Sequence, residues 1–348
     1  MMKIWKLNYN IFISQNDDVC DKMKIVYLKP KSTFPFLSSD SIFGALAYGM
    51  SELFPEKFDS FLEKFKNKDN VPFLISSAFP YIKYEGNYFR FYPKPITKFQ
   101  SDDMGLSKKF KKIQFIEESI FLDLVTGIIS NEDIFKNFKD NEFKANEFNE
   151  SFLVKKENSS VIEGSLFSKE ISPHNVIDRV KNNSINIFYS EDYRFRENNG
   201  LFFLVEFKDP SFEENFISLL KYLRDKGFGH DISSGKGQFD FEIEDFDKFE
   251  NLSKGQYFVS LSRFIPDKED ISLIKEFSKN DNVLYELGDK RSRDSFGLRK
   301  KTRFFKEGSV FPDYTVKYDV TCGYLVETSD RSVEYGYSFN IPYIVEEL

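Results

Sequence analysis

The chain has 348 residues, a length that predicts about two domains, each large enough to bury its own core. Hydrophobic residues make up 41% of it and charged residues 30%, a balance typical of globular proteins rather than of disordered ones. The apolar runs are short compared with the roughly 20 residues of a membrane-spanning helix, and residues 1–13 lack the pattern of a signal peptide. We therefore expect a cytoplasmic protein with no membrane contact.

Metal and cofactor chemistry find little support in the sequence. Two cysteines (Cys20 and Cys322) and two histidines (His174 and His230) are too few for a Cys/His zinc cluster. The GxSxG, HExxH, CxxC and kinase motifs are missing from the sequence. We expect no metal site, no cofactor and no catalytic residue.

Basic charge is concentrated in one segment, although the whole chain has a net charge of −7. Residues 290–306 contain eight basic side chains and one acid, a net charge of +7 that leaves −14 for the remainder. Such a run is either a solvated loop or a surface for phosphate groups. Because Phe296, Phe304 and Phe305 are interspersed with its arginines, it suits stacking and phosphate contacts along a single strand better than reading of a duplex groove.

The first elements predict strands followed by helices. Residues 3–13 and 23–28 both have a strand pattern, and either could be the first strand of the core sheet. Three side chains at 38–40 offer N-cap oxygens before apolar residues with helical spacing over 42–53. A second helix is predicted over 56–65.

The following elements are a hairpin, an insertion and a second strand-helix-strand unit. Residues 81–92 predict a hairpin around a glycine-containing turn, and the pattern then loosens between about 96 and 199, as in an insertion. An apolar strand is predicted over 201–207, then a helix over 212–227 that stops at its glycine, and a half-exposed strand over 239–244.

Without the insertion, this order is β-α-β-β-α-β, which is typical of a ferredoxin-like sheet with helices on one side and the other face free. After Gly255 a similar pattern restarts. We predict an α+β fold of two ferredoxin-like (RRM/RAMP) domains with antiparallel sheets, in which the first domain carries the large insertion. The predicted domains are residues 1–248 and 249–348, and the second has strands at 257–264, 283–287, 323–326 and 335–344 and a helix at 267–277.

Four glycines in eleven residues characterise the glycine-rich loop, residues 227–237, between a predicted helix and a strand. The loop is not a Walker motif, because five residues separate Gly229 from Gly235-Lys236 and Gly237 replaces the required Ser or Thr. It predicts either a backbone that approaches phosphate oxygens closely or a tight turn with purely structural glycines.

Several short segments share their order with one known family. They are Ser39-Asp40-Ser41-Ile42-Phe43-Gly44-Ala45-Leu46, Tyr92-Pro93-Lys94-Pro95, His174-Asn175 to Asp178-Arg179, the glycine-rich loop, Ser260-Leu261-Ser262, Glu307-Gly308-Ser309-Val310-Phe311 and Tyr335-Gly336-Tyr337. Together they resemble the RAMP superfamily of CRISPR proteins, and most specifically the fourth-subunit family of type III-A Csm effector complexes, which are Cas-five-like RAMP proteins. The resemblance runs nearly end to end.

The resemblance implies a non-catalytic crRNA-binding subunit of an antiviral ribonucleoprotein. Such a subunit grips the 5′ handle of the guide and docks the large Cas-ten subunit on one side and the backbone RAMP (third Csm) subunit on the other. A thumb-like β element, expected within residues 79–198, would wedge into the duplex of guide and target RNA.

The predicted RNA contacts fall into three groups. The resemblance implies contacts at Ser39, His174, Asn175 and Arg179. The glycine-rich loop would approach the phosphates through Gly227, Gly229, Ser233, Ser234, Gly235, Lys236 and Gly237. The basic segment would supply Arg291, Arg293, Arg299, Lys300, Lys301 and Arg303.

Two other hypotheses stay open at the level of sequence. The chain could be a RAMP endoribonuclease that processes precursor crRNA, with His230 or His174 as the acid/base. It could also be a protein adaptor whose basic cluster meets acidic neighbours.

Overall fold

The computed structural model describes residues 22–96, 103–146, 151–178, 183–229, 232–250, 252–278, 283–294, 297–318, 320–329 and 332–344. The strand predicted over 3–13 lies outside them, and the first described strand, Lys22–Pro30, contains the alternative at 23–28. None of the helices in these ranges has both the length and the apolar character to cross a bilayer.

The described helices are α1 (Ser39–Leu53), α2 (Pro55–Lys66), α3 (Met104–Lys112), α4 (Glu118–Val125), α5 (Asn131–Lys139), α6 (Glu213–Lys226), α7 (Lys268–Phe277) and α8 (Thr315–Tyr318). The described strands are β1 (Lys22–Pro30), β2 (Phe73–Ile75), β3 (Phe79–Tyr84), β4 (Asn87–Pro93), β5 (Phe115–Glu117), β6 (Phe143–Ala145), β7 (Phe152–Lys155), β8 (Phe167–Asp178), β9 (Asn183–Phe195), β10 (Asn199–Phe207), β11 (Phe239–Asp245), β12 (Tyr257–Ser260), β13 (Leu287–Lys290), β14 (Arg293–Asp294), β15 (Gly297–Leu298), β16 (Thr302–Phe305), β17 (Val310–Pro312), β18 (Leu325–Ser329), β19 (Ser332–Tyr335) and β20 (Asn340–Tyr343).

The first half of the chain forms an antiparallel sheet whose central strands lie in the order β11-β1-β10-β3. The helices α1 and α6 contact each other and bury the apolar residues that predicted them, such as Leu46 and Leu220. This is the ferredoxin-like order, with β3 as its second strand. The predicted α+β class with antiparallel sheets is confirmed.

The second face of this sheet is covered, although the sequence pattern predicted a free face. The insertion strands continue the sheet beyond β4 and bring α4 onto it, where Phe121 stacks on Tyr92 with ring centroids 4.7 Å apart. Phe249 packs on both rings, and Arg90 forms an ion pair with Glu118 at the start of α4. The aromatic face that an RRM-type sheet offers to RNA bases is therefore occupied by the chain itself.

The C-terminal part forms a smaller antiparallel sheet in the order β17-β12-β20. Asp267 caps α7, as the predicted helix requires. The strand predicted over 257–264 ends at Ser260, where the chain leaves the sheet towards the first half. Within the strand predicted over 283–287, Leu284 forms an isolated bridge to Val310 and Leu287 begins β13. The domain division at residue 248 stays a prediction.

A buried carboxylate joins the two halves of the chain. Asp40, which is 7% exposed, forms ion pairs with Lys290 and with Arg263, at 3.2 Å between Oδ1 and Nη1. Burial alone would raise the pKa of Asp40, but the charges of Arg263 and then Lys290 outweigh it and hold that pKa below its usual value. The neighbouring Ser39 is fully buried, and its hydroxyl accepts a hydrogen bond from the backbone N–H of Arg263 at 3.1 Å. We call these four residues the joint.

Backbone hydrogen bonds near the joint connect other segments that carry the family resemblance. The N–H of Gly308 donates to the carbonyl of Ser260, and the carbonyl of Gly308 accepts from the N–H of Ile96, both at 2.8 Å. Gly308 has a φ of +85°, and a Cβ atom there would lie 2.9 Å from the carbonyl oxygen of Lys94. The segments that carry the family resemblance are therefore largely the ones that hold the two halves together.

The joint predicts a pH-dependent stability defect for Asp40→Asn. Removing the charge leaves two partly buried cations without their anion, so we expect the free energy of unfolding to fall by about 2 kcal/mol at neutral pH in chemical denaturation. Because the pKa of Asp40 is lower in the folded protein than in the unfolded chain, Asp40 contributes its full stabilisation above the unfolded-state pKa near 4. This stabilisation is lost as the pH falls through the folded-state pKa.

The matched control is Asp240→Asn, which removes the exposed partner of Lys31 and should change stability by less than about 1 kcal/mol. A deficit of Asp40→Asn that stays constant below pH 4 would contradict this assignment.

Candidate nucleic-acid interface

The glycine-rich loop takes backbone conformations that need glycine. Gly227 ends α6 with a φ of +96°, and Gly237 has a φ of +73°. A Cβ atom on Gly237 would lie 1.9 Å from the carbonyl oxygen of Phe228. The N–H of Gly237 donates to the carbonyl of Thr33 at 2.9 Å, and its carbonyl accepts from the N–H of Phe228 at 2.8 Å. The loop is thus closed on itself and fixed to the segment after β1.

The tip of this loop is exposed. Ser233, Ser234 and Gly235 lie at the surface, as does Gly229, whereas Gly227 and Gly237 are buried. A Cβ atom on Gly235 would meet open space. Residues 230 and 231, which include His230, lie outside the described residues. The exposed tip offers hydroxyl and backbone groups to a ligand.

Lys236 connects the loop to a long hairpin formed by β8 and β9. Its ammonium donates to the Asp192 carboxylate and to the Ser172 hydroxyl, both at 2.9 Å. Asp192 is 2% exposed, and the Lys236 side chain is 18% exposed. Lys236, predicted as a phosphate contact, therefore anchors the long hairpin.

The long hairpin lies within the range predicted for a thumb. His174 and Asn175 are on β8, paired with Phe188 and Ile187 towards the free end, and their side chains lie outside the described residues, as does the whole of Arg179. The pairing places Ile171, Ile187 and Tyr189 on the face opposite the one that carries Ser172 and Asp192. These three side chains are 58%, 58% and 68% exposed.

The described residues of the basic segment form a hairpin rather than a solvated loop. We call it the basic hairpin: β13 pairs with β16, and β14 pairs with β15 beyond them. Asp289 forms ion pairs with Lys301 at 2.7 Å and with Arg303 at 3.0 Å, and both cationic side chains are more than half exposed. Two cations share one carboxylate, so positive charge remains in excess.

The end of the basic hairpin carries further cations. Arg291 and Lys300 are exposed, and Arg299 is half-buried. The Nε of Arg291 donates to the carbonyl of Arg299 at 3.2 Å, which orients its guanidinium. The side chain of Arg293 lies outside the described residues. Lys290, at the root of the basic hairpin, is part of the joint through its ion pair with Asp40.

A groove runs between the roots of the two hairpins. Its first cavity, of about 550 Å³, is lined from the first half by Phe36 and Lys94 and from the second by Arg263, Lys306 and Glu307. A second cavity, of about 490 Å³, shares the lining residues Phe36, Gln114 and Phe115 and reaches Phe167 and Tyr193 at the root of the long hairpin.

The sequence prediction gave no role to Lys94 or Arg263, which line the first cavity, and it named Ser39 as an RNA contact although its side chain is buried. The Tyr92-Pro93-Lys94-Pro95 motif contributed to the resemblance, but its lysine was given no role; a lysine held between two prolines was the available signal. Ser39 has no exposed surface, and its hydroxyl belongs to the joint. An RNA contact through Ser39 is therefore not compatible with this fold.

A protein-family model described as the RAMP superfamily matches residues 25–240, more than half of the chain. The chain belongs to the RAMP superfamily. The match spans the insertion, the glycine-rich loop and the first sheet up to the start of β11, so it covers one of the two walls of the groove and the whole long hairpin.

Relatives of this RAMP protein agree with the resemblance found in the motifs. "CRISPR system Cms protein Csm4" of Methanocaldococcus jannaschii is 26% identical in an alignment 299 positions long that covers 73% of this chain and 77% of the relative. The protein of the same name from Thermococcus onnurineus is 26% identical over 83% of this chain and 86% of its own length. The predicted resemblance to the fourth Csm subunit is confirmed.

Solved structures share the RAMP fold over almost the full chain. A chain from the Csm3-Csm4 subcomplex of a type III-A CRISPR-Cas interference complex matches with a TM-score of 0.67 and 21% identity, covering 92% of this chain and 99% of its own. A chain from a Csm1-Csm4 cassette in complex with pppApA matches with a TM-score of 0.56 and 18% identity, covering 94% and 100%.

The loop geometry predicts different costs for two glycine substitutions. In Gly237→Ala the new methyl group would collide with a backbone carbonyl at a positive φ, so we expect a loss of about 3 kcal/mol or more in chemical denaturation. In Gly235→Ala, with a similar φ but open space, only the left-handed backbone costs energy, about 1 kcal/mol. Equal losses in the two variants would disprove the packed arrangement of the loop.

Proposed function

We propose that this chain is the Csm4-type subunit of a type III-A effector complex, in which it holds the guide RNA without cleaving it. The observation that carries the proposal is the long alignment with two curated Csm4 proteins, each matched over more than three quarters of its length. The fold shared with chains of Csm3-Csm4 and Csm1-Csm4 structures supports it.

The 5′ handle of the guide would lie along the groove between the roots of the two hairpins and would extend to the glycine-rich tip and to the basic hairpin. A single strand with splayed bases exposes its phosphates, which suits a backbone-lined loop tip on one side and exposed arginines and lysines on the other. The excess charge around Arg303 and Lys301 would bind the strand chiefly through counterion release. The covered sheet face supports this route, because stacking on the sheet is blocked.

The long hairpin would act as the thumb. Its strands of 12 and 13 residues extend to about 40 Å, and the exposed face with Ile171, Ile187 and Tyr189 offers apolar surface to the stacked bases of a guide–target duplex. We propose that target RNA is bound indirectly, since it would reach this chain only as the strand paired with the guide.

We propose two protein partners, the large Cas-ten subunit and the backbone RAMP subunit, which this chain would bridge. The support is that the similar chains come from Csm1-Csm4 and Csm3-Csm4 structures. The acidic remainder of the chain, with a net charge of −14, suits a basic neighbour.

Charge reversal in the basic hairpin should weaken guide retention. With Arg299, Lys300 and Lys301 changed to Glu, we expect the affinity for the guide to fall at least tenfold at moderate salt. The slope of log affinity against log salt concentration should also become smaller, because about 0.7 counterions are released per neutralised phosphate. The measurement is RNA retained by the purified complex across a salt series.

The matched control reverses Lys57, Lys64 and Lys66 on α2, an equal charge change among exposed side chains outside the groove. Equal loss of RNA from both triple variants would leave the basic hairpin without a specific role.

The proposed function is tested by copurification and by a cleavage assay. We expect the tagged chain to bring down a large Cas-ten subunit, a backbone RAMP subunit and a short RNA. A purified chain that cuts repeat RNA, with loss of cutting in His230→Ala or His174→Ala, would establish the endoribonuclease hypothesis instead.

A further inference from the structure

We propose that the 550 Å³ cavity of the groove is a site for one nucleotide of a single-stranded RNA, with the phosphate held by Lys94 and Arg263 and the base against the rings of Phe36 and Phe115. This inference rests on the proposed function and names a contact within the same groove. The volume falls in the range of small-ligand sites.

Lys94 is positioned in advance for an anion. Its backbone N–H donates to the carbonyl of Gln114 at 2.8 Å, and Gly308 closes against its carbonyl. The ammonium donates to the Phe110 carbonyl at 2.9 Å and lies 4.1 Å from the centroid of the Phe110 ring. Neither partner is an anion, and burial lowers the pKa of Lys94 to about 8. A phosphate here would supply the negative charge that those contacts do not.

Arg263 adds a second donor from the opposite wall. Its Nη1 is bound to Asp40, and its guanidinium lies 4.4 Å from the Phe304 ring centroid, so the group is held rigidly. Its Nε is buried and has no hydrogen-bond partner among the described residues; the Glu307 carboxylate is 3.9 Å from it, too far for a hydrogen bond. A buried donor without an acceptor is costly, and a ligand oxygen would satisfy it.

The charge balance of the lining favours an anion. Glu307 accepts a hydrogen bond from the Ser77 hydroxyl at 2.5 Å, and Glu286 is paired with Lys306 at 2.9 Å. The charged groups that face Lys94 across the cavity are Lys111, Arg263, Lys306, Glu286 and Glu307. With Lys94 included, four cations and two carboxylates line the cavity, and Asp40, which pairs with Arg263 from outside the lining, reduces this positive excess without reversing it.

The test is fluorescence anisotropy with the full chain and a labelled RNA octamer that contains all four bases and no terminal phosphate. We expect Lys94→Met to weaken binding about tenfold. Lys57→Met, the control, removes an ammonium that also lies over a phenylalanine ring, 5.5 Å from the Phe54 centroid on α2, and should change binding less than twofold. Circular dichroism checks that both variants fold.

The pH dependence separates a phosphate contact from a packing role. A bound phosphate favours the charged form of Lys94. The affinity for RNA is therefore highest below about pH 8, the pKa of Lys94 in the RNA-free protein, and declines above it. We expect wild-type affinity to fall about fourfold between pH 6.5 and 8.5. Lys94→Arg should bind well with little change over that range, because the other lining charges are the same in both proteins.

The possible failures are distinguishable. If wild type and Lys94→Met bind the octamer equally at both pH values, the nucleotide site is wrong and the RNA-holding function stands. If the octamer does not bind the wild-type chain and the complex carries no RNA, the proposed function fails as well. If AMP or inorganic phosphate binds as tightly as the octamer, the cavity holds a free small anion, and the assignment to a strand is overturned.

Discussion

The organisation of this molecule depends on one buried carboxylate. Asp40 begins α1 in the first half of the chain and binds Arg263 and Lys290 from the second. Desolvating three charges is costly, and the cost is offset only when the partners meet in one geometry, so such a cluster favours a single relative orientation of the halves. Arg263 then forms a wall of the groove, and Lys290 fixes the root of the basic hairpin.

Local sequence patterns predicted the elements better than their assembly. The apolar spacing of α1, the apolar run of β10 and the glycine that ends α6 are decided by neighbouring residues, and these elements are present as predicted, although the N-cap residue Ser38 makes no side-chain hydrogen bond to the helix. The joint brings together Ser39 and Arg263, 224 residues apart in sequence, and no local pattern encodes that contact. The covering of the sheet by α4 was missed for the same reason.

The sequence predicted some residues of the candidate site and missed others, because the residues that form the family motifs are not the same as the residues placed to contact a ligand. The segments around Ser260 and Gly308 form backbone hydrogen bonds within the region where the halves meet, and Ser39 contributes a buried hydroxyl, so these positions serve packing between the halves. The exposed tip at Ser233 and the cations at Lys300 and Arg303 carry no such restriction, since many residues can supply charge at a surface. Composition identified the basic hairpin, while only the coordinates brought Lys94 and Arg263 into one cavity.

The salt bridge between Lys236 and Asp192 makes the long hairpin a lever with a defined pivot. Asp192 lies near the root of the hairpin, and the nine residues of β9 that precede it extend about 30 Å to the far end. A rotation of about 5° at the pivot would move that end by roughly 3 Å, close to the spacing of stacked bases. Because Lys236 adjoins the exposed tip of the glycine-rich loop, a displacement of that tip would be transmitted through this salt bridge to the root of the hairpin and would be amplified at its far end.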